Sequence, residues 1–193
     1  MNKTASKIRF KAKLFRPAMA PAGPRADQRE KAGSWTFLVL PKNASAKLPS
    51  RGMTAIEGTI NGVAFKAMLE PDGQKSHWLK VDRKLNEAVA AEAGDVVTLE
   101  IAPAAEEPEP ELPAELRKAL AAAALKARRL WSDITPAARR DWIQWITSAK
   151  QEETRARRMK NACSMLASGK RRPCCFDRSG FYDKSLSAPK VAT

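Results

Sequence analysis

Trp131–Arg172 reads WSDITPAARRDWIQWITSAKQEETRARRMKNACSMLASGKRR, the clearest helical code and the densest basic charge in the 193-residue chain. Thr135 is a good N-cap. Pro136 falls at the first helical position, where the missing N–H costs nothing, and Trp142, Ile143 and Ile146 then share one face. A second helix is expected from about Glu152, with Ala156, Met159, Cys163 and Leu166 inward, and it stops at Gly169. Two helices joined by a short turn at Thr147–Lys150 follow from this reading.

Upstream, Ala114 follows Pro113 and opens an alanine-rich amphipathic stretch. Leu116, Leu120, Ala123, Ala127, Leu130 and Trp131 lie on one side of it, which predicts a third helix. Residues 103–113, PAAEEPEPELP, combine proline with four glutamates and form an extended, solvated acidic linker. The module therefore spans 114–172, and the tail 173–193, which has no period, is expected to run irregularly over the surface, anchored if at all by Phe176, Phe181 and Tyr182.

The first 102 residues carry a different code. Ile8, Phe10, Ala12 and Leu14 alternate with Arg9, Lys11 and Lys13, the pattern of a half-buried strand. The proline- and alanine-rich run Arg16–Ser34 makes a long loop before a second strand at Trp35–Leu40. After a helical turn near Ala44–Leu48, TAIEGTINGVAFKAML gives the best hairpin signal. Asn61-Gly62 supplies a type I′ turn between strands at Thr54–Ile60 and Val63–Leu69. Strands at His77–Val81 and Val96–Ile101 flank a short helix, Arg83–Ala91, with Leu85, Ala88 and Val89 inward. Six short strands and frequent turns predict a small closed barrel. The fold class is α+β: an N-terminal small β-barrel, residues 1–102, and a C-terminal three-helix module.

Lys and Arg number 35 against 21 Asp and Glu, for a net charge of +14, and the C-terminal part from 114 carries 18 of these cations against seven acids. This balance favours an anionic macromolecular partner, protein or nucleic acid. Three cysteines, two of them adjacent, do not make a disulfide framework, which fits a reducing compartment. The basic N-terminus lacks the apolar run of a signal peptide, and no stretch approaches a membrane span. A cytoplasmic location is the expectation.

Two passages resemble a known bacterial family. Thr135-Pro136, Arg139-Arg140, Trp145-Ile146, Ala149-Lys150, Thr154–Arg158 and Leu166–Lys170 follow the pattern of the YdeI/OmpD-associated, or bacteriocin-protection, helical domain. Upstream, FLVLP at Phe37–Pro41, GTINGVAF at Gly58–Phe65 and AGDVV at Ala93–Val97 are similar to the small domain of unknown function that often precedes it. The resemblance implies a double-split β-barrel before the helical module and a link to antimicrobial-peptide tolerance or envelope stress. It implies no catalytic residues. The insertion Arg16–Ser34 and the cysteine pair lie outside the family pattern.

Candidate site residues follow from charge and chemistry. Arg155, Arg157 and Arg158, with Lys160 and then Lys170, Arg171 and Arg172, offer guanidinium forks to phosphate or carboxylate. The helical wheel spreads them: Arg158 points away from the apolar stripe, and Glu152 and Glu153 stand where they would brace Arg155 and Arg157. Arg139, beside Arg140, lies on the apolar face. It is expected to cross to a carboxylate or to helix-end carbonyls and fix the packing, with anion binding as the alternative. Trp142 and Trp145 cannot both point into one small bundle, which makes Trp145 a partner-site candidate.

His77, the only histidine, and Trp78 are the barrel-pocket candidates. Cys174 and Cys175, near Lys170–Arg172, are redox candidates. One histidine and three clustered cysteines lack the spacing of a metal site. No phosphate loop, HExxH or nucleophile elbow is present, and no cofactor is implied. The leading reading is a non-enzymatic binding protein. A nucleic-acid-binding regulator and an enzyme or small-ligand binder using the barrel are the rivals.

Overall fold

Alternation at Ile8–Lys13 and the Asn61-Gly62 turn build the N-terminal unit as read. The computed structural model describes residues 7–18, 35–174, 176–181 and 186–192; most of the Arg16–Ser34 loop, Cys175 and Tyr182 lie outside them. The strands are β1 (Ile8–Lys13), β2 (Thr36–Val39), β3 (Thr54–Ile60), β4 (Val63–Pro71), β5 (His77–Val81) and β6 (Val96–Pro103). The order β1-β6-β3-β4-β5-β2 makes one antiparallel sheet. It curls until its two edge strands meet, where Phe15 and Phe37 exchange backbone hydrogen bonds of 2.8 and 2.9 Å. This isolated bridge draws the ends of a half-barrel together without pairing β1 and β2 along their length, where a fully closed barrel was expected.

The hairpin tip has φ of 47° at Asn61 and 88° at Gly62, as a type I′ turn requires. Asn61 also reaches sideways: its backbone N–H donates to Thr98 O, and its side-chain carbonyl accepts from Thr98 N, both at 2.9 Å. The turn thereby holds the neighbouring strand β6 as well as its own hairpin. Two short helices complete the unit, α1 (Lys42–Ser45) and α2 (Arg83–Val89). Asp82 caps α2 by accepting from Leu85 N. Val89 is buried and Leu85 half-buried, but Ala88, expected inward, is exposed.

Ile56, Ile60, Leu69, Leu79, Leu99 and Ile101 fill the interior of the curled sheet. Phe37 and Trp78 alternate with Leu38 and Leu79 and so lie on the opposite face, yet both are buried. They pack edge to face, ring centroids 6.2 Å apart, with Phe15 and Trp35 against Phe37. This second apolar layer is absent from a one-core reading of the sequence. The C-terminal residues Asp177–Thr193 group with this N-terminal unit rather than with the helices. There Leu186 is buried, Ala188 N donates to Asp72 O, and Val191 bridges Pro17. Phe181, expected as an anchor, is exposed, with Lys75 Nζ 4.5 Å from its ring.

Residues Glu106–Phe176 form the second unit. The single helix expected from Ala114 to Trp131 is two, α3 (Ala114–Ala122) and α4 (Leu125–Asp133), so the module has four helices where three were expected. Ala123 and Ala124 are extended, with ψ of 163° and 146°, although alanine is the best helix former. Tertiary packing overrides propensity here: the break brings Leu116, Leu120 and the fully buried Ala127 into one core. Then come α5 (Pro136–Thr147) and α6 (Glu152–Ala167). Trp142, Ile146, Ala162 and Leu166 are buried at its centre. Along α6 the inward set is shifted from the expected one, for Ala156 is exposed while Ala162 is nearly inaccessible. Gly169 N donates to Leu166 O and Lys170 N to Met165 O, the paired bonds of a Schellman end.

Candidate functional site

The helical unit has a recurrent local problem, and its arginines solve it. The last carbonyls of any α-helix have no partner within the helix. Neither α4 nor α5 has a basic residue in its last turn, and neither is followed by the glycine that ends α6. Side chains from elsewhere in the unit supply the missing donors. Arg139 Nε donates to Trp131 O and its Nη2 to Ser132 O, each at 2.9 Å, while Nη1 pairs with Glu109. Arg171 Nη2 donates to Asp133 O at 3.1 Å and Nη1 pairs with the Asp133 carboxylate at 2.7 Å. Both arginines therefore close the end of α4.

Arg158 does the same for α5, and Arg155 holds the turn that follows it. Arg155 Nη1 donates to Ala149 O at 3.1 Å and to Lys150 O at 3.0 Å. Arg158 Nη1 donates to Trp145 O and to Ser148 Oγ. A cation at a helix C-terminus also meets the negative end of the helix dipole, so charge and hydrogen bonding act together. Arg158 was placed outward by the helical wheel; its long stem turns back and sets the guanidinium carbon 5.4 Å from the Trp145 ring centre. The expected braces to Glu152 and Glu153 do not form. Among the described residues those two acids make no ion pair.

Arg172 pairs with Asp141, and the indole N–H of Trp142 donates to Arg171 O at 3.2 Å, so the segment after α6 is stapled onto α5. Trp145 packs edge to face with Trp142, centroids 5.9 Å apart, and is half-buried rather than openly exposed. Arg140 is buried, its Nη2 lying 3.4 Å from Glu107 Oε1. Of the candidates, Arg139, Arg140, Arg155, Arg158, Arg171 and Arg172 are thus committed within the unit. Arg157, Lys160 and Lys170 are exposed and make no ion pair among the described residues.

In the N-terminal unit His77 is fully buried on the interior side of β5. Its Nδ1 meets Ser45 Oγ at 2.8 Å and its Nε2 meets Gly52 O at 2.9 Å. A carbonyl only accepts, so Nε2 carries the proton and Nδ1 accepts from the serine hydroxyl. Burial holds the imidazole pKa below its ordinary value, against the raising effects of the Gly52 bond and of Asp72. A neutral ring bridging α1 to the loop before β3 is a structural link; a serine with no accessible surface is no nucleophile for a substrate.

Trp78 lies on the other face and does not share a site with His77. Its indole N–H is buried without a hydrogen bond. Opposite it in the β4–β5 register stands Glu70, which sequence reasoning did not single out; burial raises its carboxyl pKa and Lys80 partly offsets this. Cys174 is exposed with its sulfur 3.6 Å from Met165 Sδ, and Cys175 lies outside the described residues. Burial raises the Cys163 thiol pKa, the opposite of activation. Among the described residues no three His, Cys, Asp or Glu side chains are gathered to hold a metal, and no helix is long and apolar enough to cross a membrane.

A curled six-stranded antiparallel unit followed by a helical unit whose own arginines close its helix ends defines an α+β chain of two units. Residues 109–169 match the family described as bacteriocin-protection, YdeI or OmpD-associated, and residues 10–101 match the domain of unknown function DUF1905. No curated protein matches the chain. The family motif now has a physical reading in this chain. Thr135 caps α5 by accepting from Ala138 N, Arg139 closes α4, Arg158 closes α5, and Arg155 holds the turn after α5.

Proposed function

We propose that the protein is a non-enzymatic binding protein whose helical unit engages an anionic macromolecule through its outer cations. One observation carries this reading: the basic residues divide into two sets. The inner arginines are held by helix-end and turn carbonyls and by carboxylates. Lys118, Lys126, Arg128, Arg129, Arg157, Lys160 and Lys170 are exposed and have no acid within ion-pair distance among the described residues. Cations left unneutralised on a folded unit favour anionic surfaces and speed encounter with them. We carry over the matched family's description, bacteriocin protection, only as the setting in which the partner is sought. A cytoplasmic site of action is part of the proposal, supported by three cysteines of which Cys174 is exposed.

The test is titration of the full chain against duplex DNA, duplex RNA and an acidic polypeptide at about 50 and about 200 mM salt, because each phosphate neutralised adds close to one unit of negative salt slope. Binding that weakens with salt and is lost in Arg128→Glu/Arg129→Glu supports the reading. A steep slope on nucleic acid alone moves it to a nucleic-acid-binding regulator. No binding to any of the three at the lower salt removes it.

A further inference from the structure

The first turn of α5 already holds an anion, and the anion belongs to the chain itself. Glu107 Oε2 accepts from the backbone N–H of Ala137 at 3.1 Å, inside the helix N-terminus. Its other oxygen, Oε1, lies 3.4 Å from Arg140 Nη2, and Glu109 pairs with the adjacent Arg139. Pro136 has no N–H, Thr135 takes those of Ala138 and Arg139, and the remaining first-turn N–H, that of Ala137, forms with the guanidinium a small carboxylate seat at the start of this 12-residue helix.

Two features show that this seat is more than a well-made linker contact. Arg140 is more than nine-tenths buried, and its Nη2, aimed at the seat, completes no hydrogen bond even with Glu107 in place. A buried guanidinium nitrogen held only by a 3.4 Å ion pair and no hydrogen bond is costly and marks a site able to take a better-placed oxygen. The cover is also shallower than the seat. The arginine side chains are 18% and 9% exposed, while Glu109 and Glu107, their partners, are 57% and 39% exposed.

The covering segment is weakly held. Residues 104–113 form neither helix nor strand, Pro108 and Pro110 have no N–H to donate, and residues 106–111 make no backbone–backbone hydrogen bond among the described residues. A stretch with so few bonds opens locally at small cost.

We propose that the α5 N-terminus with Arg139 and Arg140 is a recognition site for an extended acidic peptide of a partner protein. In this structure it is filled in cis by Glu107-Pro108-Glu109. The spacing defines the ligand: two carboxylates two residues apart on a proline-stiffened strand, one for each arginine. Filled in this way, the site is self-inhibited. A tethered competitor acts at an effective concentration in the millimolar range, so an outside peptide binds more weakly by the fraction of time the seat is open. This site is separate from the exposed cations proposed above, and neither reading needs the other.

The experiment uses the full chain and a fluorescein-labelled peptide of sequence PAAEEPEPELP, followed by anisotropy at low salt. Three proteins are compared: wild type, E107Q/E109Q, and E152Q/E153Q, which raises the net charge equally but leaves the cover intact. We expect the peptide to bind E107Q/E109Q about tenfold more tightly than wild type, and E152Q/E153Q to stay within about twofold of wild type. Equal affinity for all three overturns the proposal. So does equal tightening in both variants, which reports bulk charge only. If E107Q/E109Q does not fold, E109Q alone keeps the Glu107 contacts; a gain of about threefold is then expected, and no gain overturns the proposal.

Discussion

Replacing Arg139 by alanine removes two hydrogen bonds from a charged donor to carbonyls at the end of α4, Trp131 O and Ser132 O, and one pairing with Glu109. At roughly 1.5 kcal/mol for each charged bond, the carbonyl contacts come to about 3 kcal/mol. The Glu109 pairing adds at most a few tenths, because that acid is mainly in solvent. Arg139→Lys can satisfy one carbonyl at a time and should lose about half of the 3 kcal/mol. Arg157→Ala, on an exposed residue, should stay within about 0.5 kcal/mol of wild type. The assay is urea unfolding followed by tryptophan fluorescence, in which Trp131, Trp142 and Trp145 report the helical unit. Equal midpoints for Arg139→Ala and Arg157→Ala would refute the helix-closing role.

Further outcomes follow from the same geometry. Trp142→Ala empties the centre of the helical core and should cost about 3–5 kcal/mol, whereas Trp145→Ala, on a half-buried ring, should cost clearly less; urea midpoints compare them. Gly58→Ala places a methyl group 2.0 Å from Glu100 O, so the β3–β6 pairing must part, and melting of the N-terminal unit should fall. His77 is neutral in the fold with a lowered pKa, so the unfolded state binds the extra proton on acidification. Its contribution to stability is complete above about pH 6.5 and is lost as pH falls from there through the folded-state pKa. His77→Gln should flatten that part of the profile of urea midpoint against pH; an unchanged slope would contradict the buried neutral ring.

Local signals were legible because local physics decides them. Thr135-Pro136 starts a helix wherever it meets an apolar period, and Asn61-Gly62 turns a hairpin whatever surrounds it. The break at Ala123–Ala124 has no local signal, since nothing in an alanine run says stop; packing chose it. The arginines show a different limit. A helical wheel fixes the direction of a Cα–Cβ bond, yet Arg158 has enough stem to leave solvent and reach Trp145 O. Only Arg139 was readable, because an arginine on an apolar face demands a partner. Phe37 and Trp78 alternate correctly, but strand periodicity cannot say that a sheet's second face will also be covered.

The separation of inner arginines from outer cations is the central claim. Its most direct test measures two quantities on the same variants, the urea midpoint of the helical unit and affinity for a polyanion at low salt. Arg155→Ala/Arg158→Ala should lower the midpoint, reflecting a stability loss of about 2–4 kcal/mol for the lost bonds to helix-end and turn carbonyls, and leave affinity per folded molecule nearly unchanged. Arg128→Glu/Arg129→Glu should do the reverse. Loss of affinity in the folded Arg155/Arg158 variant, with stability untouched, would contradict the separation.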